Sequence, residues 1–85
     1  MGARRKPAAA APAELAYQIA HPSAGIIWTR AVEVFENEDK ARAWMDTRLP
    51  ILEQHTPREH AESGNAEKQR EVLEILVRID YGMFE

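Results

Sequence analysis

Residues 72–85 read VLEILVRIDYGMFE, and this stretch decides the fold. Val72, Leu73, Ile75, Leu76 and Ile79 recur at a spacing that lays them along one side of an α-helix as a wide apolar face. Glu74 precedes Arg78 by four positions, the favourable order for an ion pair on a helix surface. Gly82 is placed to end the helix in a left-handed turn, a conformation glycine adopts without steric penalty. Beyond it, Met83 and Phe84 leave an apolar tail, and a folded domain seldom leaves such a tail uncovered. Either the tail packs back on the domain or a partner covers it. Few neighbours from the same domain remain past the last helix, which favours the partner.

Working upstream, Ser63-Gly64-Asn65 ends the preceding element, and Asn65 or Ser63 caps the last helix. Thr56-Pro57-Arg58-Glu59 is the clearest local signal. Thr56 serves as N-cap, Pro57 fills the first helical position, and Glu59 reaches back to close a capping box. The helix so opened is short. Before it, residues 48–55 form a loop anchored by Leu49 and Leu52. Asn37 caps a helix expected to run to about Thr47, with Glu38 and Asp39 at the positive end of its dipole and Ala41, Trp44 and Met45 on its apolar face. Residues 24–35 carry Ile27, Ala31 and Val34 on one stripe, with Trp28 and Phe35 beside it. Their β-branched content also suits a strand, but the spacing is helical. Ser23 caps this element. His21-Pro22 breaks a short helix at 12–20, since the residue before proline is pushed out of the helical region.

The expected fold is therefore all-α, a small bundle of about four helices. Residues 1–22 are assigned to a flexible basic and alanine-rich segment and 23–85 to the helical domain. The first eleven residues, MGARRKPAAAA, hold no packing residue and read as a disordered tail.

Composition narrows the function. Eighty-five residues hold one domain, and the chain has no cysteine, hence no disulfide and no thiolate metal site. The net charge of -3 lacks the basic footprint of a free-standing DNA binder, and Arg4-Arg5-Lys6 is a weak patch better read as a solubilising tail. No apolar run approaches the ~18 residues of a membrane span, and the alanines after Pro7 are too weakly apolar for a secretory signal. His55 and His60 are five apart across a helix start, a spacing that does not place two imidazoles on one helical face, so no metal site is expected. No nucleophile, phosphate loop or carboxylate pair stands out, so no enzyme is expected and no cofactor. Trp28 and Trp44 read as core residues first.

Residues from about 31 to 84 resemble the toxin-binding domain of the Xre/MbcA/ParS antitoxin family. The resemblance is carried by Ala41-Arg42-Ala43-Trp44-Met45, then Leu52, then Thr56-Pro57, and finally Val72, Ile75, Leu76, Arg78, Ile79, Tyr81 and Gly82. The chain departs from the family pattern in several places. Glu53-Gln54 stands where the family has a glycine pair. Arg58, His60 and Ala61 stand in a short helix that is usually apolar. Gly64 lies about one helical turn further from Val72. Members also usually carry an N-terminal helix-turn-helix, for which the roughly 25 residues before Ile26 are too few. The resemblance thus implies a toxin-binding half almost alone, without independent DNA binding.

It further implies a bacterial, cytoplasmic antitoxin of a type II system. Such a protein neutralises an NAD-consuming RES-domain toxin by lying over its active site, alone or within a homo- or hetero-oligomer. The toxin-binding residues it implies are Arg78, Tyr81, Gly82, Met83, Phe84 and Glu85, together with Trp44. The residues alone also allow a small helical transcriptional or assembly regulator acting through self-association, or a bare structural module.

Overall fold

A computed structural model describes residues 12–82. Side-chain caps set the starts of four of its five helices. The Ser23 hydroxyl accepts from Ile26 N at 3.2 Å and opens α2 (Ala24–Phe35), which follows α1 (Pro12–Ala20). Asn37 accepts from Lys40 N at 2.9 Å and opens α3 (Glu38–Met45). A 3-10 turn at Pro50–Leu52 then leads to α4 (Pro57–Ala61), and Asn65 opens α5 (Ala66–Asp80) by accepting from Lys68 N at 3.0 Å. Each cap satisfies a backbone N–H that the helix itself leaves without a partner.

The fold is all-α, as the periodicity requires. There are five helices among the described residues rather than about four, because the short 12–20 segment is a helix in its own right. The strand-like composition of 24–35 yields to its spacing. Ile27, Ala31 and Val34 all turn inward from α2. α3 stops at Met45, two residues short of the expected Thr47. Asp46 N still bonds Arg42 O, but the Thr47 hydroxyl turns back onto Ala43 O at 2.7 Å and ends the run. The alanine-rich tail expected over residues 1–11 lies outside the described residues.

α5 is the spine. Its Val72, Leu73, Ile75 and Leu76 are all buried and form one core with Ile27, Ala31 and Val34 of α2, Ala41 and Met45 of α3, Leu52 of the turn and Ala61 of α4. Burying a large aliphatic side chain of this kind contributes about 1.5–3 kcal/mol. α1, which falls within the stretch assigned to a flexible segment, contacts α5. Arg70 Nε donates to Ile19 O at 2.9 Å, and the buried Arg30 donates to Gln18 Oε1 at 2.8 Å. Each bond joins a guanidinium on a later helix to an acceptor on α1.

The loop between α3 and α4 is a closed structure. Leu49 N donates to His55 O at 3.0 Å and Gln54 N donates to Leu49 O at 2.9 Å, which brings its two ends together. Closing it puts Glu53 at φ 57° and Gln54 at φ 69°. These left-handed conformations cost a residue with a Cβ about 1–2 kcal/mol relative to glycine. They are the two positions at which the chain departs from a glycine pair, so residues with a Cβ hold left-handed backbone in this loop.

Candidate functional site

The C-terminal end of α5 is anchored on one side and open on the other. Leu76 and Asp80 are buried, and Ile79 packs against the core. Arg78 and Tyr81 are exposed, Tyr81 retaining 38 % of its surface. The stop itself is made by Tyr81 N donating to Val77 O and Gly82 N donating to Ile79 O, both at 3.0 Å. Gly82 has φ 72°, the left-handed turn that its position after the helix calls for. Arg78 sits in the last turn, where the helix dipole favours a cation. Arg78, Tyr81 and Gly82 therefore come together at one end of the molecule. Met83, Phe84 and Glu85 lie outside the described residues.

Trp44 sits elsewhere, on α3. It is half-buried and tilts against Phe35 with ring centroids 5.7 Å apart, so it takes part in the packing of α3 on α2. Trp28, also half-buried, lies beneath the guanidinium of Arg42 at 5.7 Å.

The Glu74–Arg78 pair expected from their spacing is not formed: no ion pair joins them among the described residues. Both instead flank a groove of about 180 Å3 between α5 and the 3-10 turn, lined by Ile51, Leu52, Glu71, Glu74, Ile75 and Arg78. Its apolar lip is Ile51, 53 % exposed. Sequence reasoning passed over Ile51 because the loop's anchors, Leu49 and Leu52, explained its apolar content. The residue left over, between Pro50 and Leu52, was the signal.

The start of α4 supports this face from below. Glu59 N donates to the Thr56 hydroxyl at 3.0 Å, Thr56 N donates to Glu59 Oε1 at 2.9 Å, and Pro57 occupies the first turn and is buried. The bond from the Thr56 backbone holds the Glu59 carboxyl below its ordinary range. Arg58 donates to Asp46 Oδ1 at 2.6 Å and ties α4 to the end of α3. Its hydrogen bond keeps the Asp46 carboxyl low, and Asp46 in turn raises Arg58. Both groups are solvated, so the pair contributes little to stability.

His55 and His60 meet, although, as expected from their spacing, they do not share a helical face. His55 Nδ1 lies 3.3 Å from His60 Nε2. His55 belongs to the loop and only His60 to α4. His60 is buried, and its Nδ1 lies 3.3 Å from Glu71 Oε1 without hydrogen-bond alignment. No group of three or more metal-ligating side chains occurs among the described residues. No helix among them is long and apolar enough to cross a membrane.

Residues 30–82, more than half of the chain, match the family model of the antitoxin Xre/MbcA/ParS C-terminal toxin-binding domain. The chain belongs to this family. The match begins at Arg30, inside α2, and ends at Gly82, the residue that stops α5. α1 and the first half of α2 thus lie outside the matched part of this antitoxin domain, although Ile27 completes its core. No curated protein and no solved structure matches the chain. Membership makes a toxin protein the partner of this domain.

Proposed function

We propose that this chain is the antitoxin of a type II toxin–antitoxin pair and that it neutralises a RES-domain toxin, an enzyme that consumes NAD, in the bacterial cytoplasm. Neutralisation is steric. The end of α5, with Arg78, Tyr81 and Gly82 and the Met83-Phe84-Glu85 segment after them, lies over the toxin's cofactor cleft and excludes the dinucleotide. The antitoxin supplies no chemistry, cofactor or metal.

The observation that carries this reading is the family match ending at an exposed, anchored helix terminus. A fixed helix end offers a partner contacts whose ordering cost was met on folding, which raises affinity for a given contact area. Aromatic and arginine side chains such as Tyr81 and Arg78 are the types that dominate binding energy at interfaces.

The reading is tested by co-expressing the chain with the toxin encoded beside it and following growth and cellular NAD. Antitoxin expression should restore both, and the two proteins should co-purify. A neighbouring toxin that leaves NAD untouched would remove the RES assignment. A toxin that acts unhindered in the presence of the chain would remove the antitoxin assignment altogether.

A further inference from the structure

Glu74 and Arg78 stand in the order that favours an ion pair on a helix, yet their heads remain apart on the rim of the groove beside α5. The apolar lining of the groove is made by Leu52 and Ile75, both buried, with the exposed Ile51 at its lip. Glu71 also lines the groove, with a carboxylate oxygen 3.3 Å from His60 Nδ1. Residues 71, 74/75 and 78 follow one another at three- and four-residue steps, so the groove runs along one stripe of α5.

We propose that this groove is a second docking point for the toxin. It takes one large apolar side chain of a toxin segment, flanked by a basic residue that meets Glu74 and an acidic one that meets Arg78. This rests on the toxin-binding reading above and extends the contact from the helix end up its flank. The occupant's chemistry follows from the rim. An apolar side chain seated on Ile51, Leu52 and Ile75 gains from burial alone, while charges of each sign on the rim select the segment by complementarity and penalise a mismatched one. The 3-10 turn that presents Ile51 is held by the Leu49–His55 closure, so the slot exists before the partner arrives.

Binding of the full chain to the purified toxin encoded beside it tests the proposal by titration calorimetry, with Ile51→Asp, Glu74→Arg and a chain ending at Gly82. Ile51 and Glu74 are both exposed, so the two substitutions should leave the melting temperature unchanged. Each is expected to weaken toxin binding at least tenfold, and the Glu74→Arg loss should shrink as salt is raised. If both bind like the parent while the chain ending at Gly82 does not, the groove proposal is overturned and the reading of the helix end stands. If all three variants bind like the parent, both are overturned. If Ile51→Asp changes the sedimentation of the free chain and leaves toxin affinity intact, the groove belongs to a second copy, and the proposal is overturned in that way.

Discussion

The start of α4 and the end of α5 are both helix termini, and the chain treats them in opposite ways. At Thr56 the groups of the cap are met from within. The hydroxyl takes Glu59 N, the Glu59 carboxylate takes Thr56 N, Pro57 is buried, and Arg58 reaches Asp46. At Gly82 the backbone is closed just as firmly, but Arg78 and Tyr81 are left facing outward. The first terminus is finished by its own side chains, whereas the second has its backbone fixed and its Arg78 and Tyr81 side chains exposed. A self-contained terminus contributes to stability, and an open one is available for binding.

The largest effect should come from the buried side of the open terminus. Leu76 is fully buried one turn before Asp80. Leu76→Ala should cost about 2–5 kcal/mol through lost burial and the cavity left behind. Tyr81→Ala, on the other side of the same helix end, should change stability by less than about 0.5 kcal/mol while weakening toxin binding. Chemical denaturation of the two variants separates the sides. Equal destabilisation would mean that the terminus is not divided as described.

The closed terminus comes next. Thr56→Ala removes the acceptor of Glu59 N and should cost about 0.5–2 kcal/mol. In a domain of this size that is a fall of several degrees in melting temperature. Thr56→Ser keeps the hydroxyl and should melt with the parent. Toxin affinity per folded molecule should be the same for all three, since this terminus is inward-looking.

The loop that joins the two regions offers a gain rather than a loss. Glu53 and Gln54 hold left-handed backbone that glycine adopts freely. Glu53→Gly and Gln54→Gly should each raise stability by about 0.5–1 kcal/mol, the relief of strain exceeding the entropy glycine adds to the unfolded chain. A thermal melt checks each, and destabilisation by both would contradict the strain assigned to the loop.

The smallest effect is a pH dependence. The Glu59 carboxyl is held low by the Thr56 backbone, so its folded pKa lies below its unfolded value. Its contribution is therefore present above the unfolded value, about 4.3, and is lost as pH falls through the folded one. Glu59→Gln should lose this small contribution at pH 7 and make stability less sensitive to acid below about pH 5. Melting curves across that range show whether the variant and parent converge on acidification, as expected, or stay parallel.

Much of this was legible in the sequence, and the reasons differ by region. Helices and caps are local, and Ser23, Asn37, Thr56, Asn65 and Gly82 each act within a few residues of themselves, so the chain states them directly. The inward stripe of α5 is also local, a periodicity of one helix. The groove is not. It needs the 3-10 turn to be folded back on α5, which depends on the Leu49–His55 closure and on positive φ at residues that are not glycine. The His55–His60 contact escaped for the same reason, since the spacing rule assumes one helix and the two imidazoles come from a loop and a helix. Glu74 and Arg78 obey the helical spacing and still do not pair, since spacing brings two side chains within reach but does not fix their rotamers.

The central claim is that the open end of α5, with the residues after it, is what neutralises the toxin. It is tested most directly by ending the chain at Gly82 and measuring two quantities on one preparation, the thermal melt and the inhibition of NAD consumption by the purified toxin. The account predicts a melting curve that overlays that of the full chain, because the caps, the core and the Gly82 stop remain, together with loss of inhibition. A truncated chain that inhibits as well as the full one would contradict it.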